Sequence, residues 1–446
     1  MTWPIIHEQT VDLQHGQIHL HGWQSWSPTT THSLLEHPFE PGSRQNRLMN
    51  YRPDRESLPT VCQAEGLLVL DPGNGEPTVV VTASNPTENV PSIRLRRGGN
   101  RVALTADGEV EVSFDGTGGG IDAVLARWAD RFVARWELPA VRPAPTLWSS
   151  WYHYFEQVTE ADIVENLAGI EDLDLPVDVV QLDDGYQAHI GDWLELSDRF
   201  DDLGGVVDRI TSTGRRAGIW VAPFLVGERS RLWNDHPEWL VTGPDGPVDP
   251  GRNWGQRLGV LDVTHPGAEA ELRRVFTTLH ATGFDLFKID FLYPGAIPGR
   301  RHGDTSALQA YRHGLTIIRQ SIGDAYLLGC GAPILPSAGL VDAMRISPDT
   351  APHADPVGGD MSQPSSRAAR LTGRARAFLH GRFWANDPDC LLARPAVEHR
   401  AAWAEHVEQF GGLHASSDRI ADLDDWGLTT TQRILSTPPP RTLIPT

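Results

Sequence analysis

The chain has 446 residues and a formal net charge of −20. That length suits two or three domains, or one (β/α)₈ barrel with additions, and the acidic balance argues against nucleic acid and anionic membranes as partners. The three cysteines, Cys62, Cys330 and Cys390, lie far apart; they form no disulfide framework or zinc pattern and suit a reducing, cytoplasmic setting.

The N-terminus, MTWPIIHEQT, shows no basic stretch followed by an apolar one, and no run reaches the roughly 18 apolar residues of a membrane span. Residues 1–138 read as a small β-sandwich closed by a helix. GLLVLD (66–71), PTVVVTAS (77–84), RVALTADG (101–108) and EVEVSFDG (109–116) are short apolar or alternating runs between turn residues. A glycine break and a helical period then lead to PAVRPAP (139–145), a linker held extended by its prolines.

Residues 146–400 alternate strand-like runs with helical patterns. The strand candidates are TLWSSWYHY (146–154), VDVVQLDDGY (177–186), RAGIWVAPF (216–224), GVLDVT (259–264), FDLFKIDFL (284–292), AYLLGCGAP (325–333), DAMRISPDT (342–350) and RAFLHGRFWANDP (376–388). Helical patterns at 159–170 and 267–283 fall between them. Eight candidates at this spacing predict a parallel barrel. Residues 401–446 read as one helical pattern and an irregular, Pro-rich tail.

In FDLFKIDFL, Lys288 and Asp290 are two apart and share one face of the strand. Lys288 is the only lysine; every other one of the 38 basic residues is arginine. A compact ammonium is not equivalent to a guanidinium, so Lys288 is expected to hold Asp290 ionised. A structural ion pair is the alternative. Asp183, Asp184, Trp220, Cys330, Arg345 and Asp349 fall at or near other strand ends, where a barrel builds its active-site mouth.

No His-x-His strand pair or His-Glu-x-x-His helix is present, so no metal is expected. Asp290 and Asp349 could instead serve glycoside chemistry, which needs a carboxylate nucleophile and a protonated acid roughly 5–5.5 Å apart for retention. Arg345 works against a protonated Asp349 and is expected to reach toward the sugar. Asp183 and Asp184 either grip hydroxyls or cap a helix, with Gly185 permitting the turn between them. Asp387 and Asp389, in NDPD, are read as sugar-site acids or as loop caps. Trp26, in WQSW (23–26), reads on its own as a hairpin aromatic.

WQSW, WYHYF (151–155), LDDGY (182–186), GIWVAPF (218–224), RNW (252–254), FKIDF (287–291), LGCGAP (328–333), MRISPDT (344–350) and RFWANDPDCL (382–391) together resemble the bacterial α-galactosidases (melibiases) of glycoside hydrolase family 36. The resemblance implies a TIM barrel behind an N-terminal β-sandwich and a retaining exo-α-galactosidase without cofactor. It implies Asp290 as nucleophile and Asp349 as acid/base. Asp183, Asp184, Lys288 and Arg345 would bind hydroxyls, and Trp220, Cys330 and Trp26 would line the pocket.

Relatives that remove α-N-acetylgalactosamine or transfer galactose, as the raffinose synthases do, keep those activities open. A non-catalytic sugar-binding protein and a metal-dependent barrel enzyme are further alternatives. The N-terminal sandwich reads as shortened and the C-terminal β-sandwich of such enzymes as absent, which leaves room for a homo-oligomer. The family often has alanine at the place of Gly185, with little effect expected.

Overall fold

The computed structural model describes residues 3–55 and 61–445. Its N-terminal part is two antiparallel sheets. One has five strands in the order Thr30–Ser33, Gln17–Leu20, Leu67–Asp71, Thr78–Ala83 and Val110–Asp115. The other has four, in the order Ile5–Thr10, Arg101–Ala106, Ser92–Gly98 and Cys62–Glu65.

The run Leu67–Leu70 is fully buried on both faces because each face has a partner. Leu68 and Leu70 join Ile18, Val79, Val81 and Leu104 inside the sandwich, whereas Leu67 and Val69 join the core on the barrel side. The helix Gly120–Trp136 supplies that outer cover, burying Ile121, Val124, Leu125, Trp128 and Phe132 along one stripe. Phe132 stacks on Phe383 at 4.8 Å between ring centroids, which ties the sandwich to the barrel.

The barrel strands, in chain order, are Leu147–Ser149, Val179–Leu182, Arg216–Val221, Phe284–Ile289, Tyr326–Gly329, Ala343–Arg345, Ala385–Asp387 and Ala415–Ser416. The first seven pair in parallel, each with the next, and the eighth lies parallel to the first. Hydrogen bonds from Gly412 and Leu413 to the Asn386 carbonyl, and from Leu391 to Ala415, bring the seventh and eighth together. Helices lie between most neighbours; Glu160–Asp172 opens on a Thr159–Asp162 capping box.

Two expectations are corrected. The run at 259–264 is not a barrel strand: Gln256–Val260 pairs antiparallel with Leu225–Gly227 in a side sheet. An apolar run of that length looks alike in either setting. Lys288 therefore belongs to the fourth strand, with Asp290 just past its end. The eighth strand comes at Ala415–Ser416, beyond residue 400, and two residues are too few to show a period. Among the described residues no antiparallel sheet follows it; the helix Asp425–Ser436 packs Ile434 and Leu435 into the main core.

Candidate active site

The C-terminal ends of the strands gather the acids. In the fourth strand Phe287 and Ile289 are fully buried toward the helices, and Lys288 points the other way. Its ammonium meets Asp183 Oδ2 at 2.8 Å, at the end of the second strand. The expected Lys288–Asp290 pair is therefore replaced by a Lys288–Asp183 pair; a chain-local rule cannot see a partner 105 residues away. Burial by itself would lower the pKa of Lys288, but the charges of Asp183 and Asp290 outweigh it and hold the ammonium above its usual range. Gln181 Nε2 donates to the same Asp183 oxygen at 2.7 Å.

Asp290 is oriented by two N–H donors, Trp220 Nε1 at 3.1 Å and the Phe291 amide at 2.7 Å. Phe291 has φ of 47°, a left-handed turn that brings its amide back onto the carboxylate. Asp184 accepts from Gln187 Nε2 at 2.6 Å and Trp254 Nε1 at 2.7 Å. Burial pushes its pKa up to about 7 against those two bonds. Gly185 turns as expected, at φ of 124°. A Cβ there would lie 2.7 Å from the Glu156 carbonyl oxygen, so the backbone here needs glycine.

Asp349 follows the sixth strand, two strands round from Asp290. Arg345 does not reach outward. Its Nη1 meets Asp349 at 3.0 Å, its Nε meets Asp387 at 3.0 Å and its Nη2 meets Asp389 at 2.8 Å. A planar fork with five donors satisfies three acids at once. The NDPD acids thus cap their loop as well as pairing with Arg345, since Asp387 Oδ1 accepts from the Asp389 amide at 2.9 Å. Asp389, with φ of 89°, also accepts from the Thr350 and Cys390 amides at 2.7 Å each and from the Tyr152 hydroxyl. Burial, and then the Asp389 charge, raise the pKa of Asp349 to about 7; Arg345 opposes the shift and Asp290 adds to it.

Trp26 belongs to the loop 22–27, not to a hairpin strand. Its ring lies over Gly331, where a Cβ would come within 2.8 Å of it, and meets Phe291 edge-on at 4.9 Å. Cys330, after the fifth strand, is fully buried in the same cluster, and burial pushes its thiol well up. Trp26, Phe291 and Asp349 line a cavity of about 360 Å³, together with Met49, Asn50, Arg252, Asn253 and Gln363. All nine site residues read from the sequence thus lie at or beside one end of the barrel. Tyr152, Gln181, Gln187 and Trp254 were not singled out; Tyr152 and Trp254 sit inside the recognised WYHYF and RNW motifs.

Among the described residues no group of three or more His, Cys, Asp or Glu side chains is arranged to hold a metal ion. No described helix is long and apolar enough to cross a membrane. The arrangement joins an oriented carboxylate to a carboxyl that shares its proton near neutrality, which is the equipment of double displacement.

The Melibiase family model matches residues 128–294. A solved α-galactosidase from Thermus thermophilus, in complex with p-nitrophenyl α-D-galactopyranoside, superposes with a TM-score of 0.81 at 27% identity, covering 96% of this chain and 88% of that one. The α-galactosidase AgaA of Geobacillus stearothermophilus is 30% identical over 120 residues, 25% of this chain and 16% of that protein. An α-xylosidase of Emericella nidulans is 27% identical over 223 residues, 45% of this chain and 27% of that protein. The matched segments thus span less than a third of either curated relative. Residues 128–294 thus match the melibiases, and the chain shares its fold with an α-galactosidase along almost its whole length.

Proposed function

We propose that the chain is a retaining exo-α-galactosidase acting on terminal α-galactosides. The observation that carries this is the pairing of Asp290, gripped by two N–H donors, with Asp349, whose pKa stands at about 7 two strands away. Asp290 attacks the anomeric carbon while Asp349 gives its proton to the departing glycosidic oxygen. The C–O bond to the leaving group breaks and a galactosyl–Asp290 ester forms. Asp349, now ionised, takes a proton from water; the water oxygen displaces Asp290, and galactose leaves with its configuration retained.

Asp183 and Asp184 hold the O4 and O6 hydroxyls, helped by the donors that Lys288 keeps free beyond Asp183. Trp220 and Trp26 wall the sugar and Cys330 lies beneath it. Arg345 acts through Asp349, because three of its five donors already meet carboxylates. The reading includes no cofactor, a cytoplasmic location consistent with three buried free thiols, and self-association into a homo-oligomer.

The test is release of galactose from p-nitrophenyl α-galactoside, with the α anomer appearing first by NMR and Asp290→Ala abolishing turnover. Activity that persists in Asp290→Ala overturns the assignment. Faster turnover of the α-xyloside or the α-N-acetylgalactosaminide, or net transfer of galactose to an acceptor sugar, would replace the substrate or the reaction while keeping the site.

A further inference from the structure

Arg376 follows the helix Ser366–Ala375 and is fully buried, and among the described residues no carboxylate pairs with it. Its guanidinium donates instead to backbone carbonyls: Ser25 at 2.6 Å, Gln24 at 2.8 Å, Ile346 at 2.9 Å, Ser27 at 3.2 Å and Gly22 at 3.4 Å. Four of these five belong to the loop 22–27, and the fifth lies three residues before Asp349. His19 and His21 are kept neutral by burial and by the Arg376 charge itself. A cation buried this way is costly unless the carbonyls that converge on it need it. Without it, a buried loop would leave several carbonyl oxygens unsatisfied.

That loop carries Trp26. Further hydrogen bonds close the loop on itself and on Thr29, and others tie it to neighbouring segments. The Ser25 amide donates to the Ala332 carbonyl at 3.0 Å, and the Ala332 amide to Ser25 Oγ at 3.1 Å. Gln24 Nε2 donates to the Met49 carbonyl at 2.6 Å. The Trp26 indole itself makes no hydrogen bond, its N–H being buried and unpartnered. Backbone placement is therefore what sets the ring against Phe291 and Gly331.

We propose that Arg376 is a positioning residue that gathers the Gly22–Ser27 carbonyls and so fixes Trp26 as a wall of the sugar pocket. The proposal rests on the glycosidase reading above. It assigns Arg376 to substrate binding, at a distance from the bond-breaking groups. Lysine at 376 keeps the charge but not the fork, so it can serve only part of this carbonyl ring.

The test is a double-mutant cycle with Arg376→Lys and Trp26→Ala, assayed on p-nitrophenyl α-galactoside. Arg376→Lys is expected to raise KM about tenfold with kcat within about threefold, since the lost wall acts on bound sugar in ground and transition states alike. Trp26→Ala is expected to show the same split, and the double variant to be no worse than Trp26→Ala alone. Additive effects would overturn the proposal.

Hydrogen exchange of the wild-type protein gives an answer that needs neither activity nor a folded variant. The Ser25 and Ser27 amides should be protected as strongly as those of the Leu67–Leu70 strand. Exchange as fast as in surface turns would overturn Arg376 as the clamp. A wild-type enzyme that releases no galactose would sink the proposed function and leave that exchange result to decide on Arg376.

Discussion

Replacing Asp389 with asparagine should move the pH profile of the proposed acid/base without touching it. Asp389 and Asp349 grip the same guanidinium, at 2.8 and 3.0 Å from its two terminal nitrogens. Two carboxylates sharing one fork sit roughly 6 Å apart. At an effective dielectric of about 20, a unit charge at that distance is worth about 2.8 kcal/mol, or about two pK units. The Asp349 side chain keeps 31% of its surface exposed, which screens the interaction; about one unit is the expected shift. The sign is fixed by the chemistry. Asp349 stands at about 7 because burial and the Asp389 charge disfavour its ionised form. Removing that charge lowers its pKa, so the protonated acid is lost earlier as pH rises.

Asparagine suits the left-handed backbone at 389 and keeps an oxygen for one of the two amides, Thr350 on the Oδ2 side or Cys390 on the Oδ1 side. The assay is kcat/KM against pH, with the alkaline limb expected to fall by about one unit while the acid limb stays. Asp387→Asn is the control: it loosens the same Arg345 clamp from the Nε side and should move the limb less than Asp389→Asn does, since charge is removed from the far side of the guanidinium. A folded Asp389→Asn enzyme whose alkaline limb has not moved would refute the reasoning.

Lys288→Met leaves Asp183 charged and unpaired in the floor, so urea unfolding should show a loss of about 3–5 kcal/mol. Adding Asp183→Asn should recover most of that stability but no turnover. The Asp184 carboxyl has a folded pKa of about 7 against a reference of 3.8; its contribution to stability is whole below about pH 4 and is lost as pH rises through 7. Asp184→Asn should therefore melt higher than wild type at pH 8, near it below pH 4, and be inactive at both. Gly331→Ala sets a Cβ 2.8 Å from the Trp26 ring and 3.0 Å from the Phe291 amide, at φ of 55°; KM should rise and stability fall by about 1–3 kcal/mol, read by kinetics and thermal melts.

The barrel was legible because its long strands carry their own signal. Phe284–Ile289 and Arg216–Val221 are apolar runs set off by polar or glycine residues, and their helices have clear periods and caps. The strands that escaped or misled are those with little local information. Ala415–Ser416 is two residues long and owes its place to backbone pairing with Leu147–Trp148. Gln256–Val260 has the apolar content of a barrel strand but closes a hairpin whose turn presents Trp254 to Asp184. The residue types of the site were readable at strand ends; their partners were not. Lys288 chose Asp183 over its sequence neighbour Asp290, and Arg345 turned inward to three acids, because contacts between strands are decided by the geometry of closure.

That inward wiring has a consequence for the chemistry. Asp183, Asp184, Asp290, Asp349, Asp387 and Asp389 crowd around two cations, Lys288 and Arg345. Six carboxylates and two cations in a region this buried cannot all be ionised cheaply. The excess is relieved by protons at Asp184, where burial wins over amide and indole donors, and at Asp349, where burial and the Asp389 charge outweigh Arg345. These are the two acids held at about 7. The same surplus of negative charge favours the positive charge that grows on a sugar ring as its glycosidic bond breaks. In the proposed reaction the acids around Arg345 would serve both halves, keeping a proton on Asp349 for the leaving group and offsetting the positive charge that grows on the sugar ring.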